Sequence, residues 1–281
     1  MSKTARSENL VITVFLFLVA IAAGVGFYFW KTGAKTPAQP EFHSSPGPVP
    51  SISESPLPSP SPEIRYPVPE EKEGPTSREP KKALPPLDDS DQSLQERLTE
   101  LFGKGTLDAL VNITDLIRRV VVTVDNATGP HAAAVDVSVF IPAPGQFLVE
   151  GTENRLALNP KNYDRYKPYV SLIEKVNTKK LVDVYIHFYP LFQAAYHDLN
   201  PHGYFNDRLV ATIDHLLEAP EMTEPIRLKQ GVFYQFADPK LEACSSGQKA
   251  LMRIGPENAK VIKAKLKQLR NALVLFGNDS R

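Results

Sequence analysis

The sequence predicts a mainly helical domain of the α+β class, with one or two short antiparallel hairpins, preceded by a single transmembrane helix and a disordered proline-rich linker. Three observations lead to this prediction: an apolar run at residues 10–30, prolines crowded into residues 37–86, and apolar residues at helical spacing in the remainder. We therefore divide the chain into a short N-terminus (1–9), a transmembrane helix (10–30), a linker (31–86) and a folded domain (87–281).

The composition narrows the classes of function. The 281 residues include 32 basic and 32 acidic side chains, so no net charge attracts nucleic acid, and we expect no nucleic-acid partner. A single cysteine excludes a disulfide framework and a cysteine-rich zinc site.

The apolar run begins at Leu10 and ends at Trp30, and none of its 21 residues carries a charge. At about 1.5 Å per residue it would span roughly 31 Å, which matches the hydrocarbon core of a bilayer. The aromatic residues 27–30 stand at one end, where such rings favour the headgroup level. The pattern predicts a single-pass anchor with the lipid bilayer as its partner.

A cleaved signal peptide is the alternative, because Ala20-Ile21-Ala22 resembles a cleavage site. The apolar run continues for eight residues beyond Ala22, which favours an uncleaved anchor. Lysines and arginines are nearly balanced on the two sides of the run, so charge decides little about orientation. We place residues 1–9 in the cytoplasm and the domain outside it, because the short N-terminus bears no sign of a domain that must be exported.

The linker is defined by its prolines, which number 15 in the 50 residues from 37 to 86. Few large apolar side chains interrupt them, so the segment cannot bury enough surface to offset the entropy of ordering. We expect a disordered spacer with polyproline II character. A ligand for a proline-binding module or for a cell-wall component is the alternative.

The folded domain begins with helices. Acidic residues at 88–91 favour a helix start, and Gly103 ends that helix after Phe102. Residues 113–126 form a second predicted helix, although their valines also suit a strand. Glycines and prolines make 127–146 a predicted loop.

Two hairpins are predicted farther along, since short runs of β-favouring residues flank turns that contain glycine. One small antiparallel sheet could hold both of them. The paired segments are 147–150 with 155–158, and 226–229 with 232–236.

The clearest helical pattern lies at 181–199, where apolar residues recur at spacings of 4, 3, 4, 3 and 4. We expect Pro190 to kink or split this helix. The other predicted helices cover 160–177, 204–218, 246–253 and 256–275.

One pair of residues suggests catalysis. Ser246 and Lys249 fit the S-x-x-K pattern of penicillin-recognising enzymes, in which the lysine takes the proton of a serine one turn away. A peptidoglycan-directed hydrolase is therefore an alternative function. However, the domain lacks the companion motifs S-D-N and K-T-G, and a serine at a helix start is common. We predict no catalytic residue.

No metal or cofactor site is predicted either. The histidines of the helical region form neither H-x-x-x-H nor H-E-x-x-H, and the run Gly-Lys-Gly-Thr at 103–106 lacks the upstream glycine of a phosphate loop.

The last helix combines an apolar stripe with a basic one, and further basic residues precede it. Such a stripe can contact anionic headgroups or an acidic partner, whereas the alternative is a solvated outer face. The candidate interaction surface consists of Lys249, Arg253, Lys260, Lys263, Lys267 and Arg270.

Several runs of the domain point to a known family. They are LPPLDDSD (84–91), VVVTVDN (120–126), PLFQAAYHDL (190–199), YFNDRLVATIDHLLEAP (204–220), FADPKLE (236–242) and SGQKALMRIGPENAKVIKAKL (246–266). Together they resemble an uncharacterised family of bacterial membrane-anchored proteins, known as domain of unknown function 3014. The resemblance implies a Gram-negative envelope protein with a single span, and it implies no reaction, cofactor or catalytic residue.

We therefore expect a non-enzymatic protein of the bacterial inner membrane, with a cytoplasmic N-terminus and a periplasmic domain. Its flexible linker would hold a binding or scaffolding module close to an envelope protein or cell-wall partner. The alternatives are the hydrolase that uses Ser246 and Lys249 and a peripheral contact of the basic helix with an anionic membrane.

Overall fold

The computed structural model describes residues 63–69, 84–131, 135–152, 155–231 and 233–275. Within these ranges the chain forms α-helices and two short antiparallel hairpins, which confirms the predicted helical domain with hairpins. Among the described helices, none combines the length and the apolar character that a membrane span requires. The predicted anchor at 10–30 lies outside the described residues.

We number the elements in chain order. The helices are α1 (Ser90–Phe102), α2 (Lys104–Leu110), α3 (Leu116–Asn126), α4 (Lys161–Asp164), α5 (Lys167–Lys175), α6 (Thr178–His197), α7 (Phe205–Leu217), α8 (Pro239–Glu242), α9 (Ser246–Arg253) and α10 (Pro256–Leu275). The strands are β1 (Val149–Glu150), β2 (Ala157–Leu158), β3 (Leu228–Lys229) and β4 (Gln235–Phe236).

The main core lies between α7 and the helices around it. Helix α7 packs against α10, α3 and α6, and α10 also packs against α5 and α6. Large aromatic side chains fill the space between them, and the rings of Phe192 and Phe205 stack with centroids 5.7 Å apart. Burial of such side chains is the main favourable term in folding, at about 25 cal/mol per Å² of apolar surface.

The two hairpins cover a second, smaller apolar cluster. In β1 and β2, Val149 pairs with Leu158, and in β3 and β4, Leu228 pairs with Phe236. The hairpins form two separate two-stranded sheets and not the single sheet that the sequence suggested, although one antiparallel bridge joins Ala157 to Arg227. The cluster beneath them contains Leu156, Leu158, Ile226, Leu228, Phe236 and Met252.

Two prolines act differently from the sequence-based expectation. The helix predicted at 160–177 is divided into α4 and α5, because Pro168 stands in the first turn of α5 and has no N–H to continue the preceding helix. By contrast, Pro190 does not split α6, which is continuous from Thr178 to His197. Pro190 is exposed, so its ring lies on the side of α6 that faces solvent.

Helix α3 begins at Leu116, three residues later than the predicted start at 113, because Asp115 adopts a left-handed conformation with φ of 53°. The carboxylate of Asp91 accepts the N–H groups of Asp115 and Leu116 at 2.7 and 3.1 Å. A residue predicted to favour the start of α1 thus caps α3. Helix α2 was not predicted.

The prediction of a disordered linker over residues 31–86 does not hold for residues 63–69, which lie against the domain. Tyr66 and Val68 pack against the main core, while Arg65 and Pro67 are exposed. The side chains of Tyr66 and Val68 therefore face the domain, and those of Arg65 and Pro67 face solvent. We call residues 63–69 the docked segment.

Asp91→Ala should lower the free energy of unfolding by about 1–2 kcal/mol, because two N–H groups at the start of α3 lose their acceptor. Urea unfolding of the purified protein measures this change. Asp89→Ala is the matched control: Asp89 is exposed, its side chain makes no capping hydrogen bond, and the expected change is below about 0.5 kcal/mol. Equal effects of the two substitutions would contradict the assignment.

Candidate functional site

The six residues predicted as an interaction surface have different surroundings. Lys249 is mostly buried and its Nζ lies 3.3 Å from a carboxylate oxygen of Glu242. Arg253 is buried, lies over the ring of Phe236 at 5.1 Å and donates to the carbonyl of Tyr234 at 3.0 Å. Burial lowers the pKa of the Arg253 guanidinium.

The other four lie on α10. Lys263 donates a hydrogen bond to the carbonyl of Ala219, just beyond the end of α7, and Arg270 forms an ion pair with Asp214 of α7. Lys260 and Lys267 are exposed. Five of the six side chains therefore make contacts within the domain, since Lys260, although exposed, pairs with Glu257 of its own helix at 3.3 Å. Two of these contacts join α10 to α7.

Ser246 and Lys249 do not hydrogen-bond to each other. The hydroxyl of Ser246 is buried and donates to the carbonyl of Asn126 at 3.1 Å, whereas Lys249 bonds to the side chain and carbonyl of Glu242. Ser245 caps α9 in a capping box with Gln248. In these contacts both residues support packing.

The described residues place no three His, Cys, Asp or Glu side chains together in an arrangement that could hold a metal ion. A polar cluster that joins two distant parts of the chain lies at the start of α7. It consists of Tyr204, Asn206 and Asp207, which contact the docked segment, and we call these three residues the docking site.

The docking site binds the backbone of the docked segment. The two carboxylate oxygens of Asp207 accept the N–H groups of Arg65 and Tyr66 at 2.9 and 2.8 Å. The hydroxyl of Tyr204 accepts the N–H of Val68 at 2.8 Å. These acceptors bond only to backbone N–H groups, so they position the docked segment independently of its side chains.

Asn206 completes the docking site from within the core. Its side-chain amide donates to the carbonyl of Tyr66 at 2.8 Å, and its oxygen accepts the hydroxyl of Tyr185 at 3.1 Å. Asn206 is fully buried and Tyr185 is 2% exposed, so each amide end needs a partner. Within the described residues, the docked segment supplies the partner of the amide NH2.

Other tyrosines support the same cluster. Burial raises the pKa of Tyr185, with smaller contributions from Tyr189, Tyr204 and Asp207. Burial, followed by a hydrogen bond with Tyr204, raises the pKa of Tyr189. The phenols therefore remain protonated near neutral pH, where they serve as hydrogen-bond donors.

A tight turn places the docking site. The side chain of Gln193 accepts the N–H of Phe205 and donates to the carbonyl of Gly203, both at 2.8 Å. A Cβ atom at Gly203 would lie 2.5 Å from the ring of Tyr196, so this turn has no room for a larger residue. Gln193 and Gly203 thus fix the first turn of α7 on α6.

Arg270 is paired with the helix that carries the docking site. Its hydrogen bond to Asp214 of α7 raises its pKa, and the Tyr66 phenol adds a smaller electrostatic contribution in the same direction.

Sequence reasoning missed the docking site. It identified residues 204–218 as a helix with apolar residues inward and 37–86 as a spacer. Two signals were available: the polar pair Asn206-Asp207 in the first turn of an aromatic-rich helix, and Tyr66-Pro67-Val68-Pro69 in the linker. Neither signal says that the two segments meet.

Residues 116–270 match the model of a family described as "Protein of unknown function (DUF3014)", which confirms the resemblance found in the sequence. The matched range includes the docking site and excludes the docked segment. No curated protein and no solved structure matches the chain.

Tyr185→Phe should lower the free energy of unfolding by about 1–3 kcal/mol, because the buried oxygen of Asn206 loses its donor. Chemical unfolding measures the loss. Tyr196→Phe is the comparison variant, since the Tyr196 hydroxyl takes part in a longer contact of 3.4 Å, with Asn200. A Tyr185→Phe variant as stable as the parent would show that the Asn206 amide is satisfied in another way.

Stability should decrease at alkaline pH. Burial raises several tyrosine pKa values above about 10, the value in an unfolded chain. Below that pH the phenols are protonated in both states, and their contribution to the free energy of unfolding is complete. Above it the unfolded chain loses these protons first, so that contribution falls as the pH rises. Lys265, whose pKa burial lowers, acts in the opposite direction over part of this range. The affected phenols are Tyr163, Tyr166, Tyr169, Tyr185 and Tyr189.

Because these five phenols oppose one amine, we expect the free energy of unfolding to fall as the pH rises above about 10. Urea titrations across this range test the expectation, and Tyr185→Phe should reduce the slope. A stability that does not change with pH would contradict it.

Proposed function

Because the chain belongs to DUF3014, a family of proteins of unknown function, we propose its function from its own residues. The protein is a non-catalytic binding module that a single membrane span tethers at the bacterial inner membrane. Its helical domain lies in the periplasm and binds a partner there. A tether of this kind raises the effective concentration of the domain near the membrane.

One observation carries the binding role. A cluster of buried and half-buried polar groups at the start of α7 holds the docked segment of the same chain. It does so by four hydrogen bonds, all of them to the backbone of that segment. Asn206 and Tyr185 are buried, so the cluster is positioned by the core. Backbone recognition of an extended chain is a common mode of peptide binding.

The contacts of Ser246 and Lys249 favour this proposal over a hydrolase. Nucleophilic catalysis needs the serine hydroxyl within about 3 Å of its base. Here the Ser246 hydroxyl donates to a backbone carbonyl, and Lys249 pairs with Glu242. Separating these contacts would remove hydrogen bonds that fasten α9 to the end of α3 and to α8.

The tether rests on the sequence. Residues 10–30 have no charge and the length of a bilayer core, and prolines follow them. A charged residue near the centre of such a span costs about 2.5–3.5 kcal/mol on insertion scales, so 21 uncharged residues favour lipid over water.

Membrane fractionation tests the tether. The full chain should sediment with membranes, and a C-terminal alkaline phosphatase fusion should be active, since that enzyme needs the periplasm. Leu18→Arg combined with Ile21→Arg should release the protein into the soluble fraction, whereas the matched pair Leu18→Ile and Ile21→Leu should leave it in membranes.

Two outcomes would contradict the tether. One is a C-terminal reporter that is active only in the cytoplasm. The other is a soluble form of the native protein that has been cut behind Ala22.

The non-catalytic role has its own test. In crosslinked envelopes the full chain should capture an envelope partner, and Ser246→Ala should capture it equally, because binding needs no nucleophile. Release of soluble fragments from purified peptidoglycan by the parent, absent in a Ser246→Ala protein that unfolds at the parental urea concentration, would favour the hydrolase.

A further inference from the structure

We infer that Tyr204, Asn206 and Asp207 form a peptide-binding site whose resident ligand is the chain's own docked segment, held as a reversible clasp. The ligand class is an extended, proline-containing peptide. The inference rests on the proposed function in one respect, because a clasp changes the reach of the domain only if the chain before it is a tether.

The docked segment matches the docking site residue by residue along its backbone. Arg65, Tyr66 and Val68 donate their N–H groups to Asp207 and Tyr204. Pro67 and Pro69 have no N–H, so every backbone donor from 65 to 69 is bonded.

The proline also prepares the segment for binding. A residue before proline is restricted to extended conformations, and proline itself has a fixed φ near that of polyproline II. The Tyr66-Pro67-Val68-Pro69 run is therefore close to its bound conformation before it docks, and it loses less entropy on binding than an ordinary peptide.

The side chains indicate that the clasp can open. Glu63, Ile64, Arg65 and Pro67 are exposed, and Ile64 retains 50% of its surface accessible to solvent. Tyr66 and Val68 are only half-buried. Opening would expose the inward faces of these two side chains and let water reach the Asn206 amide. Elements with few buried contacts open first in folded proteins.

Opening would change the length of the tether. With the clasp closed, the chain between the predicted anchor and the first residue held against the domain is residues 31–62. With the clasp open it is residues 31–83, because Leu84 packs against the main core. At about 3.1 Å per residue, fully extended chains of these lengths would reach roughly 100 and 165 Å. The docking site thus couples occupation by a peptide to the distance that the domain can reach.

The test uses the full chain in detergent and a fluorescent peptide with the sequence of residues 61–72, SPEIRYPVPEEK. Val68→Pro removes the N–H that Tyr204 accepts and leaves the docking site intact. Ile64→Pro is the matched control, since the Ile64 N–H makes no hydrogen bond to any residue that the structure describes.

The Val68→Pro chain should bind the peptide about tenfold more tightly than the parent or Ile64→Pro, measured by fluorescence anisotropy, because its internal competitor is weakened. Adding Asp207→Asn to Val68→Pro should reverse the gain by about tenfold, since Asp207 accepts two N–H groups of the peptide.

Equal affinity for Val68→Pro and Ile64→Pro would overturn the inference, and so would tight binding that survives Asp207→Asn. A Val68→Pro chain that does not fold would also overturn it, because the segment would then be a permanent part of the fold. Hydrogen exchange of the parent adds a second measurement: amides 65–68 should exchange faster than those of α7. Exchange at the rate of global unfolding would reject a reversible clasp.

These outcomes are separate from those of the proposed function. Peptide binding in detergent does not depend on whether residues 10–30 enter a membrane, and the fractionation and phosphatase results do not depend on the docking site. Loss of peptide binding in a membrane-inserted protein would reject the clasp and keep the tether.

Discussion

The burial of Phe205 in the first turn of α7 is the constraint from which the docking site follows. Phe205 is fully buried and stacks on Phe192 of α6, which draws the start of α7 into the core. The neighbouring Asn206 is buried with it, and a buried amide needs partners at both ends. Tyr185 supplies one from inside the core, and a segment distant in sequence supplies the other.

Recognition through the backbone has a physical consequence for specificity. Asp207 and Tyr204 accept N–H groups, which are present in every residue except proline. The side chains of the segment that pack against the core are those of Tyr66 and Val68. A segment rich in proline, which is poorly suited to helices and sheets, fits such a site well.

The basic residues near the C-terminus show that one charge pattern can include both side chains that bond within the domain and side chains that face solvent. Helical spacing placed Lys263 and Arg270 in one stripe with Lys260 and Lys267, as the sequence predicted. In the folded domain Lys263 and Arg270 bind groups of α7, whereas Lys260 and Lys267 remain exposed. The pattern does not separate these roles, because a cation suits both water and a nearby carboxylate or helix-end carbonyl.

The sequence by itself determined the local features: the helical class, the end of α1 at Gly103, the two hairpins and the long helices α6, α7 and α10. These depend on neighbours within a few residues, through periodicity, capping and turn chemistry. The tertiary structure alone decided that Asp91 caps α3, that Pro190 is tolerated within α6, and that residues 63–69 lie against α7. The cap by Asp91 and the docking of residues 63–69 join groups that lie far apart in the chain, and the tolerance of Pro190 depends on which side of α6 faces water. A single sequence contains no direct information on either point.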